Sequence, residues 1–150
     1  MSSLRTIPLA ELYIEDETAW LERMSELVRY RCLTEIDFDN LTEYLSDMAR
    51  RDRREVKSRL TVLLTHWLKW EHQPEKRSGS WKATIAHQRQ ELADDAGSGV
   101  LRNHADEVLA DAYGNAVERA ALETGLPATA FPAECPYSID QLLTNTPADA

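Results

Sequence analysis

LTVLLTHWLKWEHQPEKRSGSWKATIAHQRQEL, residues 60–92, reads as two helical segments folded back on each other about one short polar loop. Projected at 100° per residue, Val56, Leu60, Leu63, Leu64, Trp67 and Leu68 share one broad apolar face. Ser58, Thr65 and Lys69 fall opposite it, and Arg59, His66 and Trp70 lie along its border. Pro74 cannot continue a helix, because its ring removes a donor and clashes with the preceding turn. Glu75–Ser80 then supplies the turn, and Ser78 or Ser80 can cap a second helix reaching about Asp95.

Two helices of about 53–73 and 79–95 joined this way form an antiparallel hairpin. The register sets Trp70 opposite Trp81, His66 near Ile85, Leu63 near Gln88 and Leu60 near Glu91 or Leu92. Gln88 then stands on a packed face and needs a hydrogen-bond partner, for which Arg59, His66 and Arg89 are in reach. Trp70 and Trp81 are expected to pack on each other, with the Trp81 indole N–H bonded to a loop carbonyl. His66, Trp67, Trp70, Trp81 and Gln88 form the expected structural cluster of this hairpin.

Outward from the hairpin the pattern stays helical. Asp16 is placed to cap a helix over about 17–32, with Trp20, Leu21, Met24, Leu27, Val28 and Cys32 on one face. Asp37 should cap the next, whose buried stripe is Phe38, Leu41, Tyr44, Leu45 and Met48. Asp52 and Glu55 have capping-box spacing, so the hairpin's first helix is expected to restart near Arg53 or to continue through a bend. Gly97–Gly99 breaks the chain before a helix over about 100–124, which Gly125 ends. Ser138 and Gln141 announce a last short helix. No alternating strand pattern occurs. The expected architecture is all-α: a single-domain bundle of about five helices over 16–144, an N-terminal arm over 1–15 and a mobile tail over 145–150.

Charge is unevenly distributed. Residues 50–89 hold 11 of the 17 Lys and Arg but 4 of the 26 Asp and Glu, so this segment is +7 in a chain of −9 and the remainder is −16. The overall balance argues against general polyanion binding, while a local basic field still acts over a Debye length of about 8 Å. Pairing of that segment with acidic helices of the same fold is the competing reading.

Cys32 and Cys135 stand far apart without a C-x-x-C or clustered His, so neither a disulfide framework nor a zinc site is expected. No apolar run approaches the roughly 18 residues of a membrane span, and the expected location is the cytoplasm. G-x-S-x-G, H-E-x-x-H and a phosphate-cradling glycine loop are all missing, and no cofactor is implied. The one catalytic reading is His66 as a general base, oriented by Glu55 or by a carboxylate of another helix.

LLTHWLKW, QPEKRSGSW with the following KATIAHQR, and ETGLPATAFPAECPYSIDQLL together resemble the bacterial family called domain of unknown function 29, over about Asp16–Leu143. Arg77, Ser78, Ser80 and Trp81 match its R-S-x-S-W loop. Met48, Ala49 and Arg50 depart from it, where the family commonly has a small turn residue. The resemblance implies a compact helical fold and no assigned activity.

Two binding readings remain. In one, the chain is a protein-interaction or regulatory module in which the hairpin or the acidic remainder presents a charged surface to an unknown protein or a second copy, the hairpin candidates being Lys76, Arg77, Ser78, Ser80, Lys82 and Arg89. In the other, the same basic residues around Trp81, with the start of the second hairpin helix, hold nucleic acid or phosphate through ion pairing and base stacking.

Overall fold

The computed structural model describes residues 7–147, and every regular element among them is helical. They are α1 (Leu9–Glu15), α2 (Glu17–Arg29), α3 (Phe38–His72), α4 (Gly79–Ala96), α5 (Gly99–Thr124) and α6 (Ile139–Thr144), with single 3₁₀ turns at Pro74–Lys76 and Ala128–Ala130. No helix among these residues is long and apolar enough to cross a membrane. The chain groups into two compact units that divide between Arg50 and Arg51, within α3.

The first unit is organised around Trp20. Asp16 starts α2 as expected, its side chain accepting the Ala19 N–H at 3.1 Å. Trp20 is fully buried; Tyr13 meets it edge-on at 4.7 Å, and Tyr44 lies tilted at 5.9 Å. Its indole N–H donates to Asp37 Oδ2 at 3.2 Å, and Asp37 also accepts from Asn40 Nδ2 at 2.7 Å. The residue that opens α3 therefore also satisfies the one polar atom of the buried indole, which burial would otherwise penalise. α1 occupies part of the stretch expected as an arm; residues 1–6 lie outside the described residues.

α3 does not break. It runs 35 residues through Met48–Arg50, and Asp52 and Glu55 sit inside it, not at a cap. Glu55 accepts from Arg59 one turn on, at 2.7 Å. The D-x-x-E spacing is thus spent on an i,i+4 pair along the helix. The amphipathic projection also needs correction. Leu60, Leu63, Leu64 and Leu68 are fully buried, but so, nearly, are Thr65, which the projection sets opposite, and Thr61 at the edge of the face beside Leu68. The second unit surrounds this part of α3. Thr61 and Thr65 tolerate burial because their hydroxyls donate to the carbonyls of Lys57 and Thr61, at 2.9 and 2.7 Å, a back-bond that leaves no polar atom unpaired.

α4 runs antiparallel to α3 in the expected register. Lys69 reaches Trp81, and Arg59 reaches Glu91, so ten residues forward on one helix match ten backward on the other. Gln88 finds the partner its position demands, accepting from Arg59 Nη1 at 3.2 Å. Gly97 ends α4 where a Cβ would collide with the Ala93 carbonyl oxygen. α5 buries Ala105, Ala112, Ala116 and Ala120, small residues that let a neighbour approach closely, together with Tyr113. It ends at Gly125, whose φ of 77° is the left-handed conformation that favours glycine there. α6 carries the expected capping box: Ser138 Oγ accepts from the Gln141 backbone, and Gln141 Oε1 from the Ser138 backbone.

Asn145–Pro147, the start of the expected tail, contact the fold. Arg89 Nη1 donates to the Asn145 carbonyl at 2.9 Å, and Pro147 is buried. Residues 148–150 lie outside the described residues.

Candidate functional site

The hairpin tip is built from cations folded onto indoles. Arg77, just past α3, turns back so that its Nε donates to the Trp70 carbonyl at 2.9 Å and its guanidinium lies 4.9 Å above the Trp70 ring. This satisfies a carbonyl in the last turn of α3, places positive charge at the helix's negative end and adds a cation–π contact. Lys69 behaves similarly: Nζ lies 4.7 Å from the Trp81 ring centre and 2.8 Å from Glu123 Oε2. The Trp70–Trp81 stack expected from the register does not form. Each indole face takes a cation in its place, an arrangement that neutralises Lys69 against α5 and packs both rings.

Ser78 is the cap that the loop promised, its Oγ accepting the Trp81 N–H at 3.2 Å. Lys76, Ser80 and Lys82 are exposed around it, while Arg77 and Arg89 are half-buried and engaged within the fold. Of the basic segment, Arg59 pairs with Glu55 and Glu91, and Lys69 with Glu123. Within the basic segment, Arg50, Arg59 and Lys69 are thus answered by carboxylates, and Arg77 and Arg89 by backbone carbonyls.

Trp67 and Tyr137 share one carboxylate. Glu71 accepts from the Trp67 indole N–H at 3.0 Å and from the Tyr137 hydroxyl at 2.5 Å, and the two rings lie 5.5 Å apart. Burial, then the Glu71 bond and charge, push the Tyr137 phenol far above its ordinary range. Burial also raises Tyr113 to about 12, with Cys135 and Glu71 adding to it; its hydroxyl donates to the Pro132 carbonyl. This network ties the end of α3 to the segments that follow α5.

His66 is not oriented by Glu55, whose carboxylate is held by Arg59. Its Nδ1 meets the Val62 carbonyl at 2.9 Å within its own helix. A carbonyl only accepts, so Nδ1 carries the proton. Among the described residues, no carboxylate is bonded to His66, so the orienting group that the general-base reading calls for is not seen there. No group of three or more His, Cys, Asp or Glu among the described residues is arranged to hold a metal ion.

The hairpin also borders a cavity of about 320 Å³, lined by Trp70, by Lys82, Ile85, Ala86 and Arg89 of α4, and by Thr146 and Pro147. Part of this lining is legible from spacing alone. Lys82, Ile85, Ala86 and Arg89 have the spacing of one helix face, but the wall formed by Thr146 and Pro147 depends on where the C-terminal segment docks.

The model of the family described as Domain of unknown function DUF29 matches residues 12–146. The chain belongs to the DUF29 family. The match spans α2–α6, from the Trp20 cluster to the segment that closes the cavity. No curated protein and no solved structure matches the chain.

Proposed function

We propose that the protein is a protein-interaction module whose first unit carries the docking surface, and that its partner presents a basic amphipathic helix. The observation that carries this reading is the placement of exposed apolar bulk. Among the described residues, nine large hydrophobic side chains stand exposed and seven of them belong to residues 7–45, including Ile14 (84%), Tyr30 (71%), Leu33 (63%), Phe38 (56%) and Leu45 (59%). A single exposed leucine is ordinary; a concentration of this kind is the usual mark of a binding surface. Phe38 and Leu45, expected within the buried stripe of this helix, instead stand exposed two turns apart on one edge of α3, while Tyr44 packs on Trp20.

Charge selects the partner. Residues 7–50 contain 11 Asp and Glu against 4 Lys and Arg. All the carboxylates but Asp37 are exposed. Two copies meeting through this face would set like charges together, and nucleic acid would be repelled. A cationic helix gains both burial and complementarity. The hairpin cations favoured by the sequence pattern fit this role less well, because Arg77 and Arg89 are engaged inside the fold.

The test is affinity purification from the native host with nuclease present, using wild type, Phe38→Ser/Leu45→Ser and Lys76→Glu/Lys82→Glu. The reading expects an identified protein with a basic amphipathic segment, lost in the first variant, retained in the second and weakened by salt. Retention of the same protein by Phe38→Ser/Leu45→Ser overturns it. Loss through Lys76→Glu/Lys82→Glu alone returns the surface to the hairpin.

A further inference from the structure

We infer that the cavity between Trp70, α4 and the C-terminal segment binds a small amphipathic carboxylate, an apolar body carrying one negative charge. This site is separate from the docking surface of the first unit and stands or falls independently of it.

Its volume, about 320 Å³, lies at the lower end of the range for small-molecule sites. The floor is the α4 face of Ile85 and Ala86, one wall is the Trp70 indole and the other is Pro147. Lys82 and Arg89 stand at opposite ends of that face, two turns and about 10 Å apart. Among the described residues, no carboxylate lines the cavity and none pairs with either cation. The contrast with Arg59, Lys69 and Arg102 is direct, since each of these is paired with an acidic side chain. Arg89 commits one nitrogen, Nη1, to the Asn145 carbonyl. That bond fixes the guanidinium at the cavity and leaves Nε and Nη2 for an acceptor.

The lining sets the ligand class. Ile85, Ala86, Pro147 and the indole reward an apolar body. A free phosphate would bury nothing against them and would lose hydration beside an apolar wall. A neutral apolar molecule would fill the floor but leave the cations unanswered. A carboxylate with an aromatic or branched apolar body uses both features, and the Thr146 hydroxyl can add a donor at the rim.

The experiment uses the full chain with phenylbutyrate, its neutral counterpart phenylbutanol, and inorganic phosphate. Affinity is read by calorimetry, and location by amide shifts of Ile85, Ala86 and Thr146. Saturable binding of phenylbutyrate with shifts at those amides is expected, with phenylbutanol and phosphate each at least about tenfold weaker. Lys82→Met should weaken the acid and leave the alcohol unchanged. Lys82 is exposed, so this variant tests charge without disturbing the fold; Arg89→Met, which also frees Asn145, serves as a second variant. Equal affinity for acid and alcohol, phosphate binding as tightly as phenylbutyrate, shifts centred elsewhere, or no saturation up to about 10 mM would each overturn the assignment.

Discussion

Arg77 is fixed at both ends of its function: a backbone carbonyl accepts from it, and an indole lies beneath it. Replacing it with glutamate removes both contacts and sets a negative charge at the negative end of α3. Arg77→Glu should cost about 2 kcal/mol, read as a lower urea midpoint. Arg77→Lys should recover only part of this, because an ammonium lacks the planar fork that bonds and stacks together. Tyr137 and Tyr113 give a pH dependence of definite sign. Their phenols are raised in the folded protein, so both states are protonated below the unfolded value of about 10 and stability there is insensitive to these groups. Above that pH the unfolded chain loses its phenol protons first, and stability falls through a window that closes for Tyr113 at about 12 and for Tyr137 higher still. Thermal melts between neutrality and strong alkali should show a shallower alkaline decline for Tyr137→Phe than for wild type; an equal slope would remove Tyr137 from the account.

The continuity of α3 is the main property at the element scale. Ala49→Pro, in its unbroken middle, should cost about 3 kcal/mol or more and reduce helical circular dichroism, whereas a real break at Met48–Arg50 would accept proline. The hairpin was legible in the sequence because its signals were redundant: Pro74 stops one helix, Ser78 starts the next, and the apolar spacing sets a register in which Gln88 must find Arg59. The continuity was not legible, because Asp52 and Glu55 have the same spacing as a cap and as an ordinary acidic pair on an exposed helix face. Thr65 was misplaced for a related reason. Periodicity reports which face is most apolar, and a threonine that back-bonds to its own helix can be buried without announcing it. The Trp70–Trp81 stack failed because cations compete for indole faces, and spacing does not say which neighbour arrives. The candidate surfaces were hidden for a different reason, since whether Leu45 is exposed, or Pro147 closes a cavity, depends on residues distant in the chain.

Over the whole molecule, the two units differ in how much they bury. Among the described residues, Trp20 and Met24 are the buried hydrophobic residues of the first, against a large continuous cluster in the second. Amide exchange should therefore be faster in Glu17–Arg29 than in Leu60–Trp70, with the slowest amides tracking global unfolding. Uniform protection across both stretches would mean that the first unit is stabilised as strongly as the second. Within the second unit, α3 and α5 occupy the same core with opposite side-chain sizes, leucine and tryptophan on one and alanine on the other. Loss of bulk is the damaging change on α3: Leu64→Ala should cost about 2–5 kcal/mol. Gain of bulk is damaging on α5, where Ala116→Leu, conventionally a mild exchange, should cost about 1–3 kcal/mol. A saturation library scored for folded protein would then show two kinds of intolerance side by side, a floor on volume along one helix and a ceiling along the other. The ceiling would vanish within α5 itself at Leu122, which stands 85% exposed. Drift in this core is thus constrained by direction, and a gain of volume on α5 can be accommodated only with a matching loss on its neighbour.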